Sequence, residues 1–327
     1  MPDKIHYTGF AIAIAWPETY CKQSGYWYDR ISNLLGLSEN HYYKVGHAAL
    51  VLIDSQNKEC HYFDYGRYHA PFRHGRVRSA LTDHGLAIKT IPVISDNDKK
   101  IENFNDILTE LQQNPECHGE GKLYASYCRI NFQKALTKAN KLQQKSPIPY
   151  GPFKYKGSNC SRFVNTSILA GKPNWKFSFK LNYLVPLTPT PLNNVNSLSN
   201  KIVLSKMLSN VPFCPKKISD KSVLKSVLPQ PVRHLNIPET AQWLSGEGAG
   251  SWFNIHSDND KYLISRYNQG GVLECEGRFE ESKNVIFNKS LPFKFIHLSH
   301  CNKIRIQQNN KVIEFIIRRE SLYRHTN

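Results

Sequence analysis

Gly157-Ser-Asn-Cys-Ser-Arg-Phe-Val164 reads as the opening of a helix. Ser158 or Asn159 can cap it, and counting from Cys160, residues Phe163, Val164, Ser167 and Ile168 fall at i+3, i+4, i+7 and i+8. One face of the helix is therefore expected to pack inward and to continue to about Leu169, ending at Gly171. This puts Cys160 in the first turn, where free amide groups and the helix dipole favour a thiolate. Its own amide, and that of Ser161, would point toward a developing oxyanion. Residue statistics alone would bury such a cysteine as a small apolar residue, so a nucleophilic role requires a base nearby.

The candidate base lies far upstream. Gly46-His-Ala-Ala-Leu-Val-Leu-Ile53 is an apolar strand with His47 at its rim, and histidine is the usual base for a cysteine nucleophile. A second strand, Cys60 to Tyr65, follows the polar turn Asp54-Ser-Gln-Asn-Lys58. If the turn centres on Gln56-Asn57, opposing residue numbers sum to 113. The face carrying His47 then also carries Tyr62 and Asp64, with Asp64 diagonal to His47 and close enough to orient its ring. A slip of one residue would bring His61 and Tyr65 there instead. The third member stays open between Asp64, Tyr62, His61 and Tyr65.

Outward from these two motifs, a strand is expected at residues 8–16, stopped by Pro17. A helix follows over 24–36, with Trp27, Ile31, Leu34 and Leu35 at helical spacing and Gly36 at its end. Further expectations are a strand from Leu86 to Val93, a helix over 99–112 capped by Asp98, and a helix from Ser126 to Gln144. Residues 186–238 are punctuated by prolines and read as a connection, with a short helix near 199–209; Pro186-Leu-Thr-Pro-Thr-Pro191 should be extended. From 239 to 327, aromatic and β-branched runs alternate with Gly and Asn turns, and Asn309-Asn310 marks a hairpin. The expected class is α+β: a domain over 1–185 with an antiparallel sheet and packed helices, the connection, and a small all-β domain.

Composition bounds the function. The chain has 327 residues, 40% of them hydrophobic, and a formal net charge of +17. That charge is densest over 201–235, at +6, against +9 over 1–200 and +2 over the remainder. With no arginine-rich helix, zinc finger or aromatic RNA-binding motif, the excess supports an anionic substrate surface and not sequence-specific nucleic-acid binding. The eight cysteines are scattered without Cys-x-x-Cys spacing, as expected of reduced thiols. Phe10 to Trp16 is too short to span a membrane and lacks the surroundings of a cleaved signal peptide. A cytoplasmic location, or export without a cleaved signal, is expected. The stretch from Gly66 to Arg78 holds Arg67, Arg73, Arg76 and Arg78, with His69 and His74, and would bind a carboxylate or phosphate if it flanks the site. No metal or other cofactor is expected, since no thiol or carboxylate sits at ligand spacing with these histidines. Gly246-Glu-Gly-Ala-Gly250 lacks the helix and Lys-Ser/Thr pair of a phosphate-binding loop.

A histidine opening a strand, a polar residue on the next strand, and a late Asn159-Cys-Ser-Arg-Phe-Val164 opening a helix resemble circularly permuted NlpC/P60 papain-like proteins. The lecithin:retinol acyltransferase relatives of that branch carry an Asn-Cys-Glu-His-Phe-Val type motif, with Ser161-Arg162 here in place of Glu-His. The whole chain also resembles an uncharacterised bacterial protein family sharing these stretches. The resemblance covers about residues 8–175. It implies a papain-like fold with Cys160 as nucleophile, His47 as base and Asp64 as orienter; Tyr62, Asn159 and Ser161 are expected beside the substrate. It also implies hydrolysis of an amide or isopeptide bond in a peptide-like substrate through an acyl-thioester. A binding or scaffold protein on the same fold, or a lipid acyltransferase-like enzyme, are the alternatives.

Overall fold

In a computed structural model, the described residues are 6–318 apart from 98, 206–212, 217, 219, 259–260 and 283–286. Ten strands precede the Pro-rich stretch or fall within it. They are β1 (Gly9–Trp16), β2 (Cys21–Lys22), β3 (Ser38–Glu39), β4 (Tyr42–Tyr43), β5 (His47–Asp54) and β6 (Glu59–Gly66). β7 (His74–Arg78), β8 (Leu123–Ile130), β9 (Ile148–Pro149) and β10 (Ser199–Leu204) complete them. Seven form one sheet in the order β10-β8-β1-β5-β6-β7-β9, and β2, β4 and β3 form a small one beside it. Six helices accompany them: α1 (Asp29–Leu34), α2 (Phe104–Gln113), α3 (Phe132–Lys145), α4 (Cys160–Ala170), α5 (Trp175–Tyr183) and α6 (Pro191–Asn196).

The central strands β1 and β5 are buried on both faces, which explains their continuous apolar sequences. On one face Ala48, Leu50 and Leu52 pack with Phe163, Val164 and Ile168 of α4. On the other Ala49, Val51 and Ile53 pack with Phe104, Ile107 and Leu111 of α2. The hairpin register is the expected one, Ala49 opposite Asp64 and Val51 opposite Tyr62.

Several elements differ from expectation, each for a local reason. The helix expected over 24–36 shrinks to α1, and its apolar face points outward: Trp27 is 69% exposed and Leu34 87%. The inward side is polar, since buried Asp29 accepts from the Tyr26 amide at 2.9 Å and from the Tyr43 hydroxyl. Residues 86–93 form no strand. Glu110 takes the Lys89 and Thr90 amides at 2.7 and 2.8 Å, and Asn103 takes that of Val93 at 2.8 Å, so side chains replace a ladder. α2 starts at Phe104, later than expected, and the expected cap Asp98 lies outside the described residues. The helix expected from Ser126 starts instead at Phe132, capped by Asn131, because residues 123–130 pair with β1 as a strand. Within 186–238, Thr190 caps α6 with Pro191 in its first turn, where a proline costs no hydrogen bond. Instead of a helix, 199–204 form strand β10, paired with β8; residues 206–209 lie outside the described residues.

The C-terminal part is all β: β11 (Gln242–Leu244), β12 (Ser251–Asp258), β13 (Lys261–Tyr267), β14 (Leu273–Glu281), β15 (Lys294–His300), β16 (Lys303–Gln308) and β17 (Lys311–Ile317). Asn309 and Asn310, both with positive φ, turn the β16–β17 hairpin in two residues. The side chain of Gln242 in β11 bonds to the backbone of Phe293 and Phe295 across the sheet's far edge, curling it toward a barrel.

A buried ionic cluster joins the two sheets. Asp83 accepts from Arg76 at 2.7 and 2.6 Å and from Arg266 of β13 at 3.0 Å, all three side chains being at most 2% exposed. His69 bridges Arg76, at 3.1 Å, to Ser251 of β12, at 2.8 Å. Burial alone would raise the Asp83 pKa, but the charges of Arg76 and Arg266 override it and hold the carboxyl well below its usual range. Its stabilisation is therefore complete above about pH 4 and is lost as pH falls. Replacing Asp83 by Asn strands two buried guanidinium groups. We expect a loss of about 3–5 kcal/mol in urea unfolding at pH 7, shrinking toward pH 3.

Candidate active site

α4 begins where the cap residues dictate. Asn159 is extended, and its side chain accepts from the Arg162 amide at 2.8 Å. Arg162 in turn donates to the carbonyls of Gly157 and Pro152, holding the entry loop. Cys160 is the first helical residue and is 7% exposed. Its thiol lies 3.8 Å from the Ser161 hydroxyl, and the His47 ring and the Ala48 amide both act to favour its ionised form.

His47 opens β5 at the rim of the sheet. The preceding Gly46 has φ +73°, and a Cβ there would stand 2.9 Å from both the Trp16 carbonyl oxygen and Pro17 Cα, so only glycine delivers the histidine here. The ring stacks on Trp16 at 5.8 Å and meets the edge of Tyr68 at 6.3 Å. Nε2 lies 3.5 Å from Asp64 Oδ2, an ionic contact longer than a good hydrogen bond.

Asp64 is fully buried and fixed by neighbours on its own face. Arg78 reaches it with Nε at 2.9 Å and Nη2 at 2.5 Å, and the Tyr62 hydroxyl donates at 3.1 Å. Burial opposes ionisation, but Arg78 and His47 hold the Asp64 carboxyl well below its usual range. For His47, burial would lower the pKa, yet its contacts with Asp64 and Cys160 push it up to about 9. Burial would likewise raise the Cys160 thiol, and its contact with His47 lowers it instead. Both shifts favour the imidazolium–thiolate form of the pair over the neutral one.

Of the residues weighed as third member, Asp64 faces the ring and Tyr62 bonds to Asp64. Tyr65 lies on the opposite face with its hydroxyl on the Ile148 carbonyl at 2.8 Å, and His61 sits against Glu59. Ser161 is buried, its carbonyl accepting from Asn194 at 2.8 Å.

His47 faces a cleft of about 750 Å³, lined also by Lys22, Arg67, Tyr68, His118, Tyr150 and Glu247. Cys160 does not line this cleft. The expected arginines are placed differently from a substrate-binding loop. Residues 74–78 form strand β7, whose inward side carries Arg76 to Asp83 and Arg78 to Asp64. Arg73 holds the Ser24 and Gly25 carbonyls and covers the Tyr26 ring, and Arg67, alone of these arginines in lining the cleft, is paired with Glu247 at 2.9 Å. Arg78, expected with the others to face a substrate, is instead the bidentate partner of Asp64, a role signalled only by its alternation with Arg76. His118, also in the cleft wall, stacks on Tyr68 at 4.4 Å. Among the described residues no cluster of three His, Cys, Asp or Glu is placed to hold a metal ion.

A mixed sheet-and-helix unit with a Cys–His pair at a helix start, followed by an all-β unit, is the class defined by this geometry. The chain belongs to the type VI secretion system effector TseH-like family, whose model matches residues 11–177. A second family model, the DUF6695 C-terminal domain, matches 241–317. A crystal structure of the type VI secretion system effector TseH is similar at 18% identity over 61% of this chain and 93% of that one, with a TM-score of 0.39. No curated protein matches. Among the described residues no helix is long and apolar enough to cross a membrane.

Two outcomes follow from the pairing. Iodoacetamide should alkylate Cys160 at a lower pH than it does a free thiol, and His47→Ala should slow that reaction at least about tenfold, because the largest influence opposing burial is then gone. Asp64→Asn should move the His47 titration, followed by NMR, down from about 9 toward its ordinary 6.5.

Proposed function

We propose that the chain is a papain-like thiol hydrolase of the permuted NlpC/P60 kind, delivered as an effector and acting on an amide or isopeptide bond of a peptide-like substrate. The observation that carries this reading is the helix-start thiol of Cys160 beside a histidine whose Nε2 faces a buried, ionised aspartate. The thiolate attacks the carbonyl carbon, and the Cys160 backbone amide is positioned for the resulting oxyanion. His47 gives its proton to the leaving amine, and the acyl group remains on sulfur as a thioester. His47, now neutral, takes a proton from water, which attacks the thioester and frees the enzyme. Asp64 keeps the ring oriented and stabilises its protonated form, and Arg78 and Tyr62 keep Asp64 in place.

Cell-wall peptides incubated with the full chain should acquire new amine termini. Cys160→Ala should reduce their appearance at least about a thousandfold with unfolding unchanged. Equal amine release by both proteins, or none with a Cys160 that no thiol-directed probe labels, would remove the hydrolase reading. Transfer of the acyl group to an added amine or alcohol in preference to water would favour an acyltransferase.

A further inference from the structure

The glycine-rich loop between β11 and β12 lies against the wall of the cleft. The Gly248 amide donates to the Arg67 carbonyl at 3.1 Å, and the His69 amide to the Ala249 carbonyl at 3.1 Å, so the loop runs alongside residues 67–69. Its glycines permit that approach: a Cβ on Gly246 would stand 2.5 Å from the Ala249 carbonyl oxygen and 2.9 Å from the His69 amide. The loop inserts Glu247, whose side chain is fully buried. One carboxylate oxygen accepts from Arg67 at 2.9 Å and Ser24 at 2.7 Å, and the other from the Arg73 amide at 2.7 Å.

Glu247 thus meets the one cation that the first sheet's Arg-rich stretch presents to the cleft. Arg67 lies over the Tyr150 ring at 5.3 Å and reaches the Cys21 sulfur at 3.1 Å. Nearby Lys22 donates to the carbonyls of Val223 and Ser226 at 3.0 and 3.4 Å, and Glu247 is the acid whose charge acts on it. Without Glu247, Arg67 and Lys22 would both lose the acid that offsets them on this wall of the cleft, and charge acts over several ångströms there.

We propose that Glu247 is a specificity-determining residue: by cancelling Arg67 it suits the cleft to uncharged peptide segments and not to anionic acyl chains. The C-terminal sheet would then set the charge class of substrate for a dyad carried wholly by the first sheet. This rests on Cys160 being the reactive thiol, and it departs from the anionic substrate that net charge alone suggests.

The test compares alkylation of Cys160 in the full chain by iodoacetate and by iodoacetamide, which share a reacting carbon and differ in charge. Rates are read at that cysteine by peptide mass spectrometry, at pH 7 and low salt. Glu247→Gln should raise the iodoacetate-to-iodoacetamide rate ratio about fivefold or more. Arg67→Gln should lower it below wild type, and the double variant should restore it. The two single variants move the ratio in opposite directions, so either one that unfolds cooperatively suffices. A ratio unmoved in a folded variant would overturn the proposal alone. Failure of Cys160 to react with either reagent would overturn the dyad and the proposal together.

Discussion

Asp64 holds a negative charge where no water reaches it, on the second strand of a hairpin whose first strand carries His47. A carboxylate so placed stays ionised only beside a cation, and Arg78 on the adjacent strand provides one through two hydrogen bonds. Much else follows from that pair. It requires β7 to lie beside β6 with Arg78 opposite Asp64, and alternation then turns Arg76 to the same side. Arg76 needs its own acid, Asp83, which in turn engages Arg266 of the other sheet. A chain of paired charges therefore runs from the histidine to the contact between the sheets.

The hairpin and the Cys160 helix were legible because short-range physics decides both. The polar turn between two strands sets the register of β5 and β6, and Asn159 with Phe163, Val164 and Ile168 set the start and face of α4. The arginines of 67–78 were not legible in the same way. A sequence of Gly, His and Arg looks solvated until the acids that bury it are known, and Asp64, Asp83 and Glu247 come from three separate segments. Residues 86–93 failed for a related reason, because their amides are satisfied by Glu110 and Asn103, which no local pattern announces. The strand β8 was hidden inside a longer helical pattern whose first apolar residue, Ile130, belongs to the sheet.

The site is similarly divided. His47 and Cys160 belong to elements on either side of a long stretch of chain, and the rim of the sheet is where a strand start and a helix start can meet. Trp16 and Tyr68 enclose the imidazole, limiting the orientations in which it can serve the thiol. Glu247 enters from the second sheet only because glycines let its loop come within van der Waals distance of residues 67–69.

The outward apolar face of α1 has a consequence for the molecule in bulk. Trp27, Ile31, Leu34 and Leu35 are exposed on a protein with a formal net charge of +17. At low ionic strength, mutual repulsion keeps such molecules apart and opposes contact between their apolar faces. Added salt shortens the reach of that repulsion to about 8 Å at 0.15 M while leaving the apolar attraction intact. Colloidal stability is therefore greatest in dilute salt and declines as salt is added.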